Sequence, residues 1–231
     1  MGKAQLSPSM MCADIFKLGE TIRIFEKHGI PYLHIDVMDG SFVPNLMMGT
    51  SAVKQLRAYS SLPMDIHLMI EDPGDKLEWF EPRQGDYVSV HAEATRHLQR
   101  VLDKIRSLGA GAMAAINPAT PLSALEEVFP DVDAILVMTV NPGYAGQKLV
   151  PQTLEKIRRL RILLDERGFE KTVIEVDGNV TLENAVKMRK AGADLFVAGS
   201  SLLFRPGNME EHILAFYREM EKIEGLSLGS C

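Results

Sequence analysis

The sequence predicts an α/β protein that forms a single (β/α)8 barrel of the TIM type. Eight short, almost continuous apolar runs recur along the chain, and most are followed by a stretch with helical periodicity. Parallel strands that are covered on both faces have this character. A chain of 231 residues is close to the usual length of one such barrel. An open doubly wound sheet is the main alternative, but residues 7–11 (SPSMM) lack the glycine-rich turn that usually follows its first strand.

The same patterns predict the individual strands and helices along the chain. Runs bounded by Gly, Pro, Asp or Asn predict strands over residues 5–9, 32–36, 64–68, 87–91, 111–116, 134–138, 173–176 and 195–198. Apolar residues at helical spacing predict helices over residues 14–27, 95–108, 151–166, 182–191 and 209–223, with shorter candidates at 51–59, 73–80 and 121–129. No linker divides the chain, so we expect one domain over residues 1–231, with a tail at 225–231 that frays.

Composition and charge exclude several classes of function. The formal net charge is −6 and the pI is about 5.6, which argues against a surface for nucleic acid or for an anionic membrane. No apolar run is long enough to span a bilayer, and the N-terminus lacks the pattern of a secretory signal. Cys12 and Cys231 do not make a disulfide framework, and we expect Cys12 to be a small core residue. These observations predict a cytoplasmic protein.

Polar side chains with the chemistry of a metal site stand at the ends of three predicted strands. His34 and Asp36 share one face of the second strand, because successive side chains of a strand alternate between faces. His67 lies near the end of the third strand and Asp177 follows the seventh, and in a barrel such residues meet at the active site. Two imidazoles and two carboxylates would bind one divalent ion, and the two aspartates would transfer protons across a bound substrate.

Each of these residues alone has a simpler interpretation. A single histidine at a strand end is more often a hydrogen-bonded structural residue, and a single aspartate there is more often the cap of the following helix. Neither explanation gives four such residues a reason to converge, so the set as a whole favours the functional interpretation. Asp39 is better explained by a turn with Gly40.

Turns after the last three strands contain glycines, and the turns after the last two predict a phosphate site. Loops after strands seven and eight of a barrel often bind phosphate through backbone N–H groups. The turns contain Gly143, Gly146, Gly178, Asn179, Gly199 and Ser200. Methionines just beyond the strand ends usually fill gaps in a core, but here they could also keep water off a reactive intermediate. They are Met38, Met69 and Met138.

Two longer motifs are specific enough to carry a family resemblance. One is residues 34–40 (HIDVMDG) followed by 42–45 (FVPN), and the other is residues 137–147 (VMTVNPGYAGQ). Shorter motifs accompany them in order, at 8–9, 65–69, 117–121, 175–178 and 199–200. Together, from about Leu6 to Phe204, they resemble the signatures of the ribulose-phosphate 3-epimerase family.

The resemblance implies a (β/α)8 barrel of the ribulose-phosphate-binding type and a metal-dependent ketose-phosphate 3-epimerase. It implies one divalent metal, with zinc expected and manganese, cobalt or iron as alternatives, held by His34, Asp36, His67 and Asp177. Asp36 and Asp177 would be the acid/base pair. Substrate contacts are expected at Ser9, His67, Met38, Met69, Met138, Gly143, Gly146, Gly178, Asn179, Gly199 and Ser200. The expected partner is a small ketose phosphate, and we expect a homo-oligomer.

The sequence motifs are compatible with substrates of two lengths. The resemblance implies interconversion of ribulose 5-phosphate and xylulose 5-phosphate through a cis-enediolate. Ala145 and Asn179 depart from the family's usual glycines, and similar variations occur in the related allulose-6-phosphate 3-epimerases, which form fructose 6-phosphate. A barrel decarboxylase for a nucleotide phosphate would need an Asp-x-Lys-x-x-Asp motif, and residues 36–39 (DVMD) contain no lysine. A non-catalytic sugar-phosphate-binding protein would have no need of two opposed carboxylates.

Overall fold

The structure, a computed structural model, describes residues 2–228, in which nine strands and six α-helices follow one another with short 3₁₀ turns between some of them. The strands are β1 (Gln5–Pro8), β2 (Leu33–Asp39), β3 (Leu46–Met47), β4 (Met64–Met69), β5 (Tyr87–His91), β6 (Gly111–Ile116), β7 (Ala134–Met138), β8 (Val173–Asp177) and β9 (Leu195–Ala198). The helices are α1 (Leu18–Lys27), α2 (Thr50–Tyr59), α3 (Leu98–Ser107), α4 (Gln152–Glu166), α5 (Leu182–Ala191) and α6 (Met209–Leu228).

Eight parallel strands close into a barrel. The hydrogen-bonded order runs β1-β9-β8-β7-β6-β5-β4-β2, and each neighbouring pair is parallel. A parallel bridge between Ser9 and His34 then joins the end of β1 to β2 and completes the circle. The short strand β3 is an antiparallel addition to β2, with Leu46 opposite Asp39. The (β/α)8 barrel predicted from the sequence is confirmed.

Side chains alternate between the inside of the barrel and the helices around it. On β4, Ile66 and Leu68 belong to the large core beneath the helices, whereas Asp65 and His67 face the barrel interior. On the side of β6 and β7 that interior is filled by a separate apolar cluster of Met113, Ala115, Ala134, Leu136 and Met138. Its other side, formed by β1, β2, β4, β5 and β8, carries buried polar side chains. The fold therefore gathers polar groups on one side of its interior.

Three helix predictions differ from the structure. α1 begins at Leu18 and not at Asp14, because the Asp14 carboxylate accepts a hydrogen bond of 3.0 Å from the backbone N–H of Phe16 and holds a turn there. Residues 73–80 and 121–129 form 3₁₀ turns instead of α-helices. Both segments are short and begin with proline, and isolated short helices gain little from propagation.

The last helix reaches further than its periodicity predicts. α6 continues past Gly225 to Leu228, so the described part of the tail that we expected to fray is helical, and residues 229–231 lie outside the described residues. Between residues 2 and 228, no helix has the length and apolar character needed to cross a membrane.

Candidate active site

Four side chains converge at the carboxyl ends of three strands. β2 carries His34 and Asp36, β4 carries His67, and β8 ends in Asp177. Asp36 and His67 are register partners in the parallel β2–β4 pair, which brings them side by side. Both histidines are completely buried, Asp36 is almost so, and Asp177 is partly exposed. The convergence predicted for these four residues is present.

The distances between these groups suit a bound cation. Each residue has one ligand atom within 4.8 Å of the corresponding atoms of the other three. Nε2 of His34 lies 3.4 Å from Oδ1 of Asp36, and Nδ1 of His67 lies 3.8 Å from carboxylate oxygens of both Asp36 and Asp177. Those two imidazole nitrogens are buried and have no hydrogen-bond partner in the described structure. Buried polar atoms without partners are costly, so their orientation toward two carboxylates fits a divalent metal.

The environment separates the proton affinities of the two aspartates. Burial alone would raise the pKa of Asp36, but the neighbouring His34 and His67 lower it below its usual range. Burial, together with the charge of Asp36, raises the pKa of Asp177 to about 7. Burial opposes a charge on His34, yet the adjacent Asp65 and Asp36 raise its pKa well above the usual value. Two carboxylates with opposite shifts are the arrangement that acid/base catalysis uses.

A second layer of buried polar groups lies beneath the four side chains. Oδ2 of Asp65 accepts hydrogen bonds of 2.6 Å from Nδ1 of His34 and 2.7 Å from the hydroxyl of Ser7. Burial and the charge of Asp65 raise the pKa of Glu175 well above its usual value, a direction that favours the neutral carboxyl. Oδ1 of Asp65 and both Glu175 oxygens are buried without another hydrogen-bond partner, and a proton shared between the two carboxyl groups would satisfy them.

This supporting layer was not predicted from the sequence, although a signal for it exists. Ser7, Asp65 and Glu175 each stand two positions before a predicted site residue on the same strand. With a period of two, they share the interior face with Ser9, His67 and Asp177. Ser9 itself donates a hydrogen bond of 2.6 Å to Oδ2 of Asp36, so the predicted Ser9 lies at the site.

An open cleft of about 570 Å³ lies above the four side chains. Its lining includes the predicted residues Ser9, Asp36, Met38, Met69, Met138, Gly143, Gly146, Asp177, Gly178, Asn179, Gly199 and Ser200. His34 and His67 lie below this surface. Further lining residues, not predicted as substrate contacts, are Met11, Cys12, Val140, Pro142, Tyr144, Ala145, Gln147, Val180, Val197 and Ser201. Cys12, which we expected in the core, is only half-buried and lines the cleft.

The turn after β8 approaches the loop after β7 very closely. Gly178 has φ +122°, and a Cβ atom there would lie 2.8 Å from the backbone nitrogen of Val140. Only glycine fits this position, because the backbone conformation and the contact both exclude a side chain. Asn179 follows with φ +48°, and its side-chain oxygen accepts hydrogen bonds from the backbone N–H of Leu149 (3.3 Å) and from the Asn184 amide (3.0 Å). No lysine or arginine is among the described residues that line the cleft.

The loop after β7 is attached to the loop after β2 across the cleft. The side-chain amide of Asn45 donates a hydrogen bond of 2.9 Å to the carbonyl of Gly143, and the hydroxyl of Tyr144 lies 3.5 Å from the carbonyl of Pro44. The two loops that carry the long sequence motifs are thus in contact at the mouth of the cleft.

Comparison with known proteins agrees with this geometry. A family model described as the ribulose-phosphate 3 epimerase family matches residues 5–203. The chain belongs to this family. It is 44% identical to ribulose-phosphate 3-epimerase of Bacillus subtilis (strain 168) over 198 residues, which cover 86% of this chain and 91% of that protein. It is 46% identical to the chloroplastic ribulose-5-phosphate-3-epimerase of Arabidopsis thaliana over 199 residues, which cover 85% of this chain and 70% of that protein. This member of the epimerase family is therefore an isomerase.

Solved structures of other enzymes share the barrel of this epimerase. 3-Keto-L-gulonate-6-phosphate decarboxylase from Vibrio cholerae matches with a TM-score of 0.68 and 13% identity, covering 96% of this chain and 99% of that one. 3-Hexulose-6-phosphate synthase from Salmonella typhimurium matches with a TM-score of 0.66 and 15% identity, covering 94% of this chain and 99% of that one. At this identity the likeness concerns the fold alone.

Proposed function

We propose that this epimerase interconverts ribulose 5-phosphate and xylulose 5-phosphate by inverting C3 through a cis-enediolate. One observation carries the proposal: the ligand atoms of His34, Asp36, His67 and Asp177 cluster within 4.8 Å of one another, and the two carboxylates line the cleft. The names of the relatives from Bacillus subtilis and Escherichia coli support the same substrate.

In this proposal the two aspartates exchange protons with C3 from opposite faces of the substrate. The C3 proton is acidic because the C2 carbonyl is adjacent. Asp36 on β2 and Asp177 on β8 are separated around the barrel by β1 and β9, so they approach a bound sugar from different sides. One carboxylate removes the proton and the other returns a proton to the opposite face, with the roles reversed for the reverse reaction. The hydroxyl of Ser9 holds Oδ2 of Asp36 in place.

The four clustered residues are proposed to hold one divalent ion. Two imidazole nitrogens and two carboxylates make a mixed nitrogen and oxygen donor set, which suits zinc and also manganese, cobalt or iron. Such an ion would supply Lewis-acid stabilisation of the negative charge that develops on the C2 and C3 oxygens. His34 and His67 would bind it through the nitrogens that have no other partner.

The rest of the cleft is proposed to bind the remainder of the substrate. Backbone N–H groups at Gly178, Gly199 and Ser200 would bind the phosphate, together with the loop that contains Gly146, since the described lining offers no cationic side chain. Thioether side chains line the same cleft as the two aspartates and would exclude water from the reacting carbon. They belong to Met38, Met69 and Met138.

The side-chain contacts of Asn179 favour the five-carbon substrate. Its oxygen is engaged by Leu149 and Asn184, so the side chain holds the loop after β7 and does not extend freely into the cleft. Ala145, the other departure from the family pattern, is exposed at the rim. We infer from these surroundings that neither departure adapts the phosphate end of the cleft to a longer sugar. We therefore propose ribulose 5-phosphate as the main substrate and allulose 6-phosphate as a minor one.

Steady-state kinetics on the two sugar phosphates side by side test this proposal. We expect kcat/KM of the zinc-loaded enzyme to be about 10- to 200-fold higher for ribulose 5-phosphate, since one methylene in a pocket is worth about 1–3 kcal/mol. A higher kcat/KM for allulose 6-phosphate would reverse the assignment of the substrate. Absence of turnover on both compounds would contradict the proposed reaction.

We also propose that the protein is a homo-oligomer and that it is cytoplasmic. A homo-oligomer is supported by large apolar side chains on the surface, among them Phe16, which is 91% exposed, and Leu46, which is 74% exposed. Sedimentation equilibrium measures the state directly, and a monomer at micromolar concentration would contradict it. The cytoplasmic location stays a prediction that fractionation of the source cells tests.

A further inference from the structure

A second buried histidine stands directly behind His67. His91, the last residue of β5, is completely buried, and its Nε2 lies 2.8 Å from Nε2 of His67. The two rings lie edge to edge in nearly the same plane, with their centroids 5.0 Å apart and an interplanar angle of 24°. The other nitrogen of His91, Nδ1, lies 3.3 Å from a carboxylate oxygen of Glu93. A chain of three side chains therefore runs from the candidate metal site toward the outside of the barrel.

Hydrogen bonding allows one consistent set of tautomers for this chain. Between two neutral imidazoles at 2.8 Å, one Nε2 must donate a proton and the other must accept it. If Nε2 of His67 donates, the proton of His91 is on Nδ1, where it faces the Glu93 carboxylate. If Nε2 of His91 donates, the lone pair of its Nδ1 faces that carboxylate without a proton between them. The first arrangement satisfies every atom and the second does not.

The loop after β6 holds the Glu93 carboxylate in this position. Oε1 of Glu93 accepts a hydrogen bond of 2.8 Å from the backbone N–H of Asn117 and a short one from the hydroxyl of Thr120. The ammonium group of Lys156 donates hydrogen bonds of 2.9, 2.7 and 2.6 Å to the carbonyls of Asn117, Pro118 and Thr120. These bonds hold the loop in place. Oε1 is thus occupied by two donors, and Oε2 is the oxygen left for His91.

We propose that His91 and Glu93 are positioning residues that hold His67 in the tautomer with its proton on Nε2. Nδ1 of His67, which faces Asp36 and Asp177, then keeps its lone pair free for a divalent cation. This inference rests on the proposed metal site. The same proposal explains the motif at 117–121, which does not line the cleft. The loop formed by this motif orients the Glu93 carboxylate, and that carboxylate selects the tautomer of His67.

Glu93→Gln tests the proposal because it reverses the hydrogen bond between residue 93 and Nδ1 of His91: the carboxylate accepts a hydrogen bond there, whereas the amide group donates one. Asn117 and Thr120 both donate toward Oε1, so the amide oxygen of the glutamine takes that place and its NH₂ group faces Nδ1 of His91. His91 then carries its proton on Nε2 and donates it to His67, whose own proton moves to Nδ1. We expect the affinity for Zn²⁺, measured by competition with a chelator, to fall by about 10- to 100-fold. Glu127→Gln, the same change at an exposed position, is the matched control and is expected to leave it unchanged.

The tautomers are measured separately in the metal-free protein by ¹⁵N NMR of the histidine rings. We expect Nε2–H for His67 in the unaltered protein and Nδ1–H in Glu93→Gln. A proton on Nδ1 of His67 in the unaltered protein would overturn the proposal without any variant having to fold. An unchanged tautomer and zinc affinity in folded Glu93→Gln would overturn it as well. If the unaltered protein shows the expected tautomer but binds no divalent ion, the proposed metal site fails, and with it the role toward a cation.

Discussion

The hydroxyl of Ser9 donates a hydrogen bond of 2.6 Å to Oδ2 of Asp36, across the place where β1 meets β2. The other oxygen of the same carboxylate, Oδ1, faces the imidazoles of His34 and His67. The two oxygens therefore have different surroundings, and a rotation of the carboxylate would break contacts on both sides. Ser9 thereby sets the orientation of a group that we propose as an acid/base catalyst.

Ser9→Ala is expected to lower kcat/KM for ribulose 5-phosphate by about 10- to 150-fold. A hydrogen bond to a charged group contributes about 1.5–3 kcal/mol, and its loss also frees the carboxylate to rotate. Ser123→Ala, at an exposed serine that does not line the cleft, serves as the control. Steady-state kinetics check the prediction, and equal kcat/KM for both variants would contradict the role of Ser9.

Removal of divalent metal is expected to abolish epimerisation. His34, Asp36, His67 and Asp177 come from three strands and should together bind one ion per chain. After exhaustive chelation, Zn²⁺, Mn²⁺, Co²⁺ or Fe²⁺ should each restore activity to a different degree, because the ions differ in affinity and preferred geometry. Activity assays paired with elemental analysis measure both quantities. Full activity in a metal-free preparation would be incompatible with the proposed site.

Zinc binding is expected to release more protons at pH 6 than at pH 8. The pKa of Asp177 in the metal-free protein is about 7, so below that pH the carboxyl must lose its proton to bind the ion. Above pH 7 the group is already ionised, and its share of the release disappears. Calorimetry in buffers of different ionisation enthalpy should show roughly one proton fewer at pH 8. A release that does not change between these pH values would show that Asp177 titrates elsewhere.

Asp177→Asn is expected to block inversion while leaving one half of the reaction possible. Asp36 should still remove and return the C3 proton on its own face, so one epimer exchanges that proton with D₂O without being converted. NMR of the sugar phosphate in D₂O distinguishes exchange from epimerisation. Asp103→Asn, at an exposed position on α3, is the matched control.

Metal content of Asp177→Asn is measured alongside, and only variant protein loaded with one ion per chain is compared. Normal epimerisation by the loaded variant would rule out the two-aspartate scheme.

Gly178→Ala is expected to impair binding of the phosphate ester, because the new Cβ would lie 2.8 Å from the backbone nitrogen of Val140. Free ribulose should be a poorer substrate of the unaltered enzyme by about 100-fold or more, since each hydrogen bond to a charged group is worth about 1.5–3 kcal/mol. The variant should raise KM for ribulose 5-phosphate and affect free ribulose much less. Gly168→Ala is the control, because Gly168 also has a positive φ (+83°) but has open space around it.

The eight barrel strands were predictable because each is a short apolar run between turn residues, and the structure places each of them within a few residues of its prediction. The antiparallel strand β3 has only two residues, Leu46 and Met47, and so has no periodicity to detect. Segments 73–80 and 121–129 show apolar spacing that a helix would use, but spacing does not distinguish an α-helix from consecutive 3₁₀ turns. Whether such a segment forms an α-helix or 3₁₀ turns depends on the path that the backbone takes between the two strands it connects.

Much of the candidate site was predictable, because His34, Asp36, His67 and Asp177 stand at strand ends that the barrel brings together. The supporting groups were harder to predict, since a buried carboxylate such as Asp65 looks like any charged residue near the start of a strand. Its role depends on the pairing of β2 with β4, which places Asp65 opposite His34. The contacts from Glu93 through His91 to His67 depend on the loop after β6, which holds the Glu93 carboxylate. The spacing of residues in the sequence does not predict them.

The bridge between Ser9 and His34 has a consequence for how this enzyme loses activity. The ring of strands is completed at the same point at which the proposed chemistry takes place. If the ring opens there, Ser9 separates from Asp36 even while the remaining strand pairs stay intact. A loss of catalytic activity therefore detects opening of the ring of strands more sensitively than a loss of helix content does. An ion or a substrate that binds only the closed ring of strands also stabilises the barrel against opening at this bridge.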